Sequence, residues 1–291
     1  MPITKCIIPI AGYGTRMLPS TKAIPKEMLP IADLPVIHYL VQEAADAGIT
    51  DVCIVTARHK RAIEDYFDRL PELEAILERD NKAHLLDRVR SLSDRVRISY
   101  VRQNEPRGSG DAILAGRTFA GGDPVLVLYG DDLIRGTPAP AELLSAYERV
   151  GTSILSLVRV ADEETRRVGI VEFDHSEDRL HRISRFLEKP APTETESRFG
   201  VIGKYVITPD VMDRLGTLSG SVYGETFILA LSEAASRGRL HGYELSGRRY
   251  DTGNMLGYLE ACLDYSIAHP DFGEAYAAMI RERVGQGISV P

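Results

Sequence analysis

The stretch Ile3–Pro19 reads ITKCIIPIAGYGTRMLP, and its reading decides the fold. Ile3 to Ile10 is a short apolar run with the character of a buried first strand. Ala11-Gly12-Tyr13-Gly14-Thr15-Arg16 follows it without a spacer. Two glycines directly after a buried strand let the backbone approach a ligand closely, and successive N–H groups can then point at phosphate oxygens. Arg16 adds a planar cationic fork that suits phosphate. A dinucleotide-binding Gly-x-Gly-x-x-Gly would need a third glycine at position 17, where Met17 stands, and the Gly-Lys-Ser/Thr of a Walker A loop is absent.

The next segment, Thr21-Lys22-Ala23-Ile24-Pro25-Lys26-Glu27-Met28-Leu29-Pro30, carries two prolines that bias their predecessors away from helix. It is therefore expected to run extended, with Lys26 and Glu27 pointing to different sides.

Outward from this opening, strand-like and helix-like segments alternate. Helical spacing runs over Val36–Ala47, with Gly48 as its C-cap. Asp51–Thr56 reads as a strand, Arg61–Leu92 as helical with an interruption at Pro71, and Arg95–Arg102 as a third strand. Ser109–Phe119 reads as a helix and Pro124–Tyr129 as a strand apolar on both faces. This β-α-β-α-β order predicts an α/β fold with a Rossmann-like, doubly wound, mixed but mainly parallel sheet.

After Pro140 the texture changes. Strands are expected at Ile154–Val160, Gly169–Phe173, Leu180–Leu187, Phe199–Thr208 and Leu240–Leu245, with a turn at Asp174–Asp178 and helices at Glu225–Ser236 and Gly257–Ala268. With no repeat or low-complexity linker, the expectation is one domain over residues 1–268. Its halves would be 1–140 and 141–268, followed by an arm or partly ordered tail over 269–291.

Of the 291 residues, 44% are hydrophobic and 26% charged, which excludes disordered and collagen-like classes. The net charge of −7 argues against wrapping nucleic acid or coating an anionic membrane. Any anion must be held by a local basic pocket. Cys6, Cys53 and Cys262 are far apart and odd in number, so neither a zinc site nor a disulfide framework is indicated. No apolar run approaches the ~20 residues of a membrane span, and the N-terminal run lacks a small-residue cleavage site. A cytoplasmic protein is expected.

Gly12-Tyr13-Gly14-Thr15-Arg16 followed by Lys22-Ala23-Ile24-Pro25-Lys26-Glu27-Met28-Leu29-Pro30 resembles the signature of bacterial UTP–glucose-1-phosphate uridylyltransferases, in the sugar-nucleotidyltransferase superfamily. The resemblance continues nearly end to end. Gln103, Glu105-Pro106 and Gly108-Ser109-Gly110-Asp111-Ala112 look like the family's second nucleotide loop. Gln103 carries the donor and acceptor that suit uracil's N–H and carbonyl. Tyr129-Gly130-Asp131-Asp132 places paired acids at the carboxyl end of a strand, where open α/β sheets bind ligands. Val168-Gly169, Phe186-Leu187-Glu188-Lys189-Pro190 and Tyr250-Asp251-Thr252-Gly253 look like the family's sugar, sugar-phosphate and second-carboxylate elements.

The resemblance implies the nucleotide-diphospho-sugar transferase fold with a sugar-binding extension. It implies transfer of the uridylyl group of UTP to glucose 1-phosphate, giving UDP-glucose and pyrophosphate. Arg16, Lys26, Asp131 and Lys189 would be catalytic. Ala11, Gly12, Gly14, Glu27, Gln103, Gly108, Asp132, Gly169 and Glu188 would bind substrate. Asp131 and Asp251 would hold Mg²⁺, and self-association into a homodimer or homotetramer would be expected. Several positions depart from the pattern: Tyr129-Gly130 for Leu-Ala, Asp111 for His, Val168 for Tyr, Ser197–Gly200 for Ser-Asn-Leu-Ala, and Thr226–Ala230 for Ile-Gln-Leu-Thr-Asp. Most flank the sugar side, so dTTP or another sugar 1-phosphate is the rival within the fold. A nicotinamide dehydrogenase and a non-catalytic sugar-nucleotide-binding paralogue are the rivals outside it.

Overall fold

The computed structural model describes residues 2–218 and 225–287. Its first strand, β1 (Lys5–Pro9), alternates its side chains between two cores. Cys6, Ile8 and Ile10 join one, and Ile7 joins the other. That period of two, with both faces apolar, makes this a central strand.

Two short strands, β2 (Pro30–Ile31) and β3 (Leu34–Pro35), lead into helix α1 (Val36–Asp46). Gly48, at φ 91°, takes the left-handed conformation that ends this helix. β4 (Asp51–Thr56) follows. Then come α2 (Arg61–Phe67), α3 (Pro71–Arg79), α4 (Ala83–Arg90) and β5 (Arg97–Arg102). Pro71 opens α3, where its missing N–H costs nothing. α5 (Ser109–Ala115), α6 (Arg117–Ala120), β6 (Val125–Leu128), β7 (Asp132–Arg135) and α7 (Ala139–Val150) complete the first half.

The second half adds β8 (Ser153–Arg159), β9 (Gly169–Glu177), β10 (Leu180–Glu188) and β11 (Phe199–Ile207). It continues through α8 (Pro209–Leu218), α9 (Thr226–Ser236), β12 (Leu240–Glu244), β13 (Arg248–Asp251), α10 (Met255–Ile267) and α11 (Gly273–Gly285). One nine-stranded sheet runs in the order β5-β4-β1-β6-β11-β8-β12-β10-β9. The fold is α/β with a mixed central sheet. β5, β4, β1 and β6 are parallel, as is the pair β8–β12, whereas β9, β10 and β11 pair antiparallel. α1 and α7 cover one face, and α5, α8 and α9 cover the other.

Three expectations need correction. The segment after the glycine loop is not extended: it coils into 3-10 turns at Thr15–Met17, Ser20–Lys22 and Lys26–Met28. Pro25 permits this because it precedes the last turn instead of interrupting it. The turn expected at Asp174–Asp178 is strand up to Glu177, and the chain reverses where Asp178 adopts φ 53°. Past His269 the chain forms α11, since its alanines and charged residues from Glu274 onward favour helix. Residues 288–291 of the expected tail lie outside the described residues. β7 and β13, absent from the sequence reading, pair antiparallel as a separate two-stranded sheet.

Candidate active site

The parallel strands β5, β4, β1 and β6 end side by side. Ile10 N–H donates to Val55 O at 2.9 Å, and Gln103 N–H to Thr56 O at 3.0 Å, so the loops after β1, β4 and β5 stay in register. Ala11 and Gly12 therefore lie along one edge with Gln103, and Gly130-Asp131 follows β6 on the same edge.

Gly14 adopts φ 66°, a conformation suited to glycine, and the Lys26 side chain crosses directly over it. Thr21 Oγ1 donates to Gly14 O at 2.9 Å and fixes the returning chain. Lys26 is thereby aimed at Asp131, with Nζ 2.5 Å from Oδ2. Arg16 reaches the same oxygen at 3.3 Å and Asp251 Oδ2 at 3.5 Å. Burial opposes the Lys26 charge, but the Asp131 carboxylate outweighs it and holds the ammonium above its ordinary range. Burial also opposes the Asp131 charge, and Lys26 and Arg16 together keep that carboxyl below its usual value.

The β7–β13 pairing explains how Asp131 and Asp251 meet. Asp132 lies opposite Asp251 in the register, and Thr252 donates to Asp131 O through both N–H (2.8 Å) and Oγ1 (3.0 Å). Gly253 N–H holds Asp251 Oδ1 at 3.0 Å. Between the two acids is a cradle at Gly253. A Cβ there would lie 2.5 Å from Asp131 Oδ2, 3.0 Å from Asp251 Oδ1 and 2.5 Å from Arg16 Nη2. Two hard carboxylate oxygens around one small space suit a magnesium-sized cation, which keeps water or phosphate for its other ligands. Among the described residues, no cluster of three or more acidic, histidine or cysteine side chains forms a complete protein cage. The residues present thus fit a cation shared with a phosphate.

A cleft of about 880 Å³ joins this centre to the second half of the chain. Arg16, Asp131 and Asp251 line it together with Gly169, Glu188 and Lys189. β9–β10 pairing sets Gly169 opposite Glu188, and the Phe186 ring packs against Gly169 so closely that a Cβ would lie 2.5 Å from it. Lys189 adopts φ 48° and pairs with Glu188 at 3.1 Å. Ala11, Gly12, Gly14, Lys26, Gln103 and Gly108 are outside that lining, on the adjoining loops. Gln103 Nε2 donates to Gly108 O (3.2 Å) and Asp111 Oδ2 (2.7 Å), and Gly108 sits at φ 105°.

Two expected ligand residues are engaged by protein partners. Glu27 is fully buried and ion-paired to Lys60 at 2.7 Å, so it does not face the cleft. The 26–28 turn sends Lys26 and Glu27 in different directions, but one of those directions is the interior. Asp132 is also buried. It still lines the cleft, and its oxygens accept from Arg249 Nε (2.6 Å) and Gly203 N–H (2.9 Å). Burial raises both carboxyls, against the pull of Lys60 and Arg249.

Lys60 and Arg249 were missed by the sequence reading. Strand alternation across Arg249-Tyr250-Asp251 was the available signal for Arg249, since it puts Arg249 and Asp251 on one face. Lys60 had only its place after β4. Arg166 and Arg167, exposed on the cleft, carried no signal.

The nucleotidyl transferase family model matches residues 5–267. A UTP–glucose-1-phosphate uridylyltransferase of Staphylococcus epidermidis is 41% identical over 282 residues, covering 96% of this chain and 98% of that one. Among solved structures, a UTP-bound UGPase from Acinetobacter baumannii superposes with a TM-score of 0.89 at 33% identity, over 96% of this chain and 99% of that one. A UDP-glucose pyrophosphorylase complexed with UDP-glucose gives 0.83 at 38% identity, over 92% and 100%. The match runs from β1 to the end of α10 and takes in both carboxylates and the glycine loop, so the chain belongs to the nucleotidyl transferase family, among its UTP–glucose-1-phosphate uridylyltransferases.

Proposed function

We propose that the chain transfers the uridylyl group of UTP to glucose 1-phosphate, forming UDP-glucose and releasing pyrophosphate. The observation that carries this reading is the single cleft in which Arg16, Asp131 and Asp251 face Gly169, Glu188 and Lys189. An oxygen of the sugar phosphate attacks the α-phosphorus, a new P–O bond forms, and the α–β bridging bond breaks in line with it. That oxygen is already anionic near neutral pH, so no general base or covalent nucleophile is needed. The obstacle is repulsion between two anions, which positioning and charge neutralisation overcome.

Arg16 and Lys26 hold the triphosphate and the departing pyrophosphate. Lys189 holds the phosphate of the nucleophile. Ala11, Gly12, Gly14, Gln103 and Gly108 hold the nucleotide, and Gly169 and Glu188 the sugar. Asp131 and Asp251 hold Mg²⁺, which when bound neutralises phosphate charge. In this reading residues 1–140 serve mainly the nucleotide and 141–268 the sugar.

Self-association also belongs to the proposal. Leu256, Leu259, Leu263 and Ile267 are exposed on α10 at intervals of three and four, an apolar stripe of the kind that marks an interface. Among the described residues no helix is long and apolar enough to cross a membrane. A second sugar remains a specific alternative, because Val168 and Ile228 present branched apolar groups to the cleft.

The test is coupled pyrophosphate release across UTP, dTTP, ATP and GTP with a panel of sugar 1-phosphates, with and without Mg²⁺. UTP and glucose 1-phosphate should give the highest kcat/KM, and only with the metal. Preference for another pair would reassign the substrate, and no release with any pair would refute transferase activity.

A further inference from the structure

Beneath the nucleotide loop lies an ion pair that the mechanism above does not use. Lys60 Nζ donates to Glu27 Oε2 at 2.7 Å, with 1% and 0% of the two side chains exposed. Lys60 immediately precedes α2, and Glu27 belongs to the 3-10 turn Lys26–Met28. The other Glu27 oxygen, Oε1, is buried without a hydrogen-bond partner. It lies close to Gly130, where a Cβ would meet Glu27 Cγ at 3.0 Å and Oε1 at 3.4 Å. The pair thus sits directly under the residue that precedes Asp131.

Two cations act on the Glu27 carboxylate, Lys60 and Lys26. Two acids act on Lys26, Asp131 and Glu27. Glu27 and Asp131 are therefore rivals for Lys26, and Glu27 still has an unsatisfied oxygen to offer. Lys26 is nevertheless on Asp131, at 2.5 Å. What distinguishes the rivals is Lys60, which already neutralises Glu27 in a place where water cannot. A buried carboxylate stripped of its partner must find another cation or take up a proton.

We propose that Lys60 is a positioning residue for nucleotidyl transfer: by holding Glu27 it leaves Lys26 to Asp131 and to the phosphates of the nucleotide. The inference rests on the role given to Lys26 above. Lys60 touches neither substrate nor metal in this arrangement and acts through Glu27.

The experiment compares the parent with Lys60→Met, Lys60→Arg, Glu27→Asp and the double variant Glu27→Gln/Lys60→Met. Steady-state pyrophosphate release is measured with UTP, glucose 1-phosphate and Mg²⁺, and the fold is verified by circular dichroism. Lys60→Met leaves Glu27 as a competitor, so kcat should fall at least tenfold while KM for glucose 1-phosphate stays within twofold. Glu27→Asp withdraws the carboxylate from Lys60 by one methylene and should lower kcat in the same way, which keeps the test open if Lys60→Met does not fold. Lys60→Arg should restore most of the turnover. The double variant removes competitor and partner together and should recover at least fivefold over Lys60→Met. A role in packing alone would give no such recovery. Folded Lys60→Met or Glu27→Asp with kcat within twofold of the parent overturns the inference, as does a double variant no faster than Lys60→Met. A parent that releases no pyrophosphate would instead refute the activity on which the inference rests.

Discussion

Replacing Gly253 by alanine tests whether the two carboxylates and Arg16 work as a unit. The backbone of Gly253 lies outside the left-handed region, so alanine carries no conformational penalty there. The added methyl has nowhere to go: it would meet Arg16 Nη2 and Asp131 Oδ2 at 2.5 Å and Asp251 Oδ1 at 3.0 Å. Ordinary non-bonded carbon contacts are about 3.5–4.0 Å, so Arg16 Nη2 and Asp131 Oδ2 must retreat by about 1 Å and Asp251 Oδ1 by about half that. They end flexible side chains on a partly open site, so folding should survive with less than about 1 kcal/mol lost. The site should not survive equally well. Losing one preorganised charge-stabilising group costs about 10²–10³-fold in turnover, and displacement of this order from reacting geometry costs about 10²-fold. Gly253→Ala should therefore lose about 10²-fold in kcat and need more Mg²⁺ for half-maximal rate, with an unchanged melting temperature. Pyrophosphate release titrated against Mg²⁺ reads both quantities. Parental turnover with an unshifted Mg²⁺ curve would show that the cradle is not where the cation sits.

Lys189→Ala should raise KM for the sugar 1-phosphate while leaving KM for UTP and the melting temperature in place, because among the described residues this exposed lysine pairs with Glu188 alone; an effect on UTP alone would reassign it. Arg249→Met strands Asp132 in the interior without its 2.6 Å partner and should cost about 3–5 kcal/mol in urea unfolding, with a loss below about 1 kcal/mol counting against the pair. Burial depresses His38 to about 4, with Nδ1 hydrogen-bonded to the Tyr66 hydroxyl. The unfolded chain, near 6.5, protonates first, so stability is lost as pH falls from about 6.5 towards 4. His38→Gln should abolish about 2 kcal/mol of that loss between pH 7 and 4.5, and an identical pH slope in the variant would sink the assignment.

The nucleotide half was legible because two independent signals agreed. Cys6, Ile7 and Ile8 announce a strand buried on both faces, and Gly12 and Gly14 announce a loop that must lie close to something. The local conformation of the next segment was not legible. Proline statistics forbid helix before Pro25 and Pro30 but say nothing against single 3-10 turns, and those turns are what send Glu27 inward. The tail misled for a related reason. Pro270, Gly273, Gly285 and Gly287 suggest an arm or partly ordered tail, yet all four lie at or beyond the ends of α11, where helices accept them. The largest omission was β7 with β13. Each is four residues long, so alternation within it gives only a weak signal, and a two-stranded pair of this length depends on the rest of the fold. The meeting of Asp131 with Asp251 could therefore be inferred from resemblance but not from pattern.

That small pair of strands also explains how an acidic chain can serve polyanions. Without substrate, Arg16 and Lys26 would repel each other across the space where phosphate must enter. Asp131 and Asp251 hold them there instead, at 2.5–3.5 Å, so the cations are gathered before any nucleotide arrives. The arrangement is poised, because Asp131 Oδ2 alone accepts from both cations and cannot satisfy either fully. A triphosphate offers more oxygens and more charge than one carboxylate, so Arg16 and Lys26 gain by turning to it. In the proposed mechanism the same turn would uncover Asp131 and Asp251 for a cation of their own. In the inference above Lys60 enters this exchange from below, since Glu27 also acts on Lys26 and would draw it away from Asp131. The net charge of −7 is thus compatible with the proposed chemistry, in which repulsion would be solved locally, by cations held on carboxylates that would give them up to the substrate.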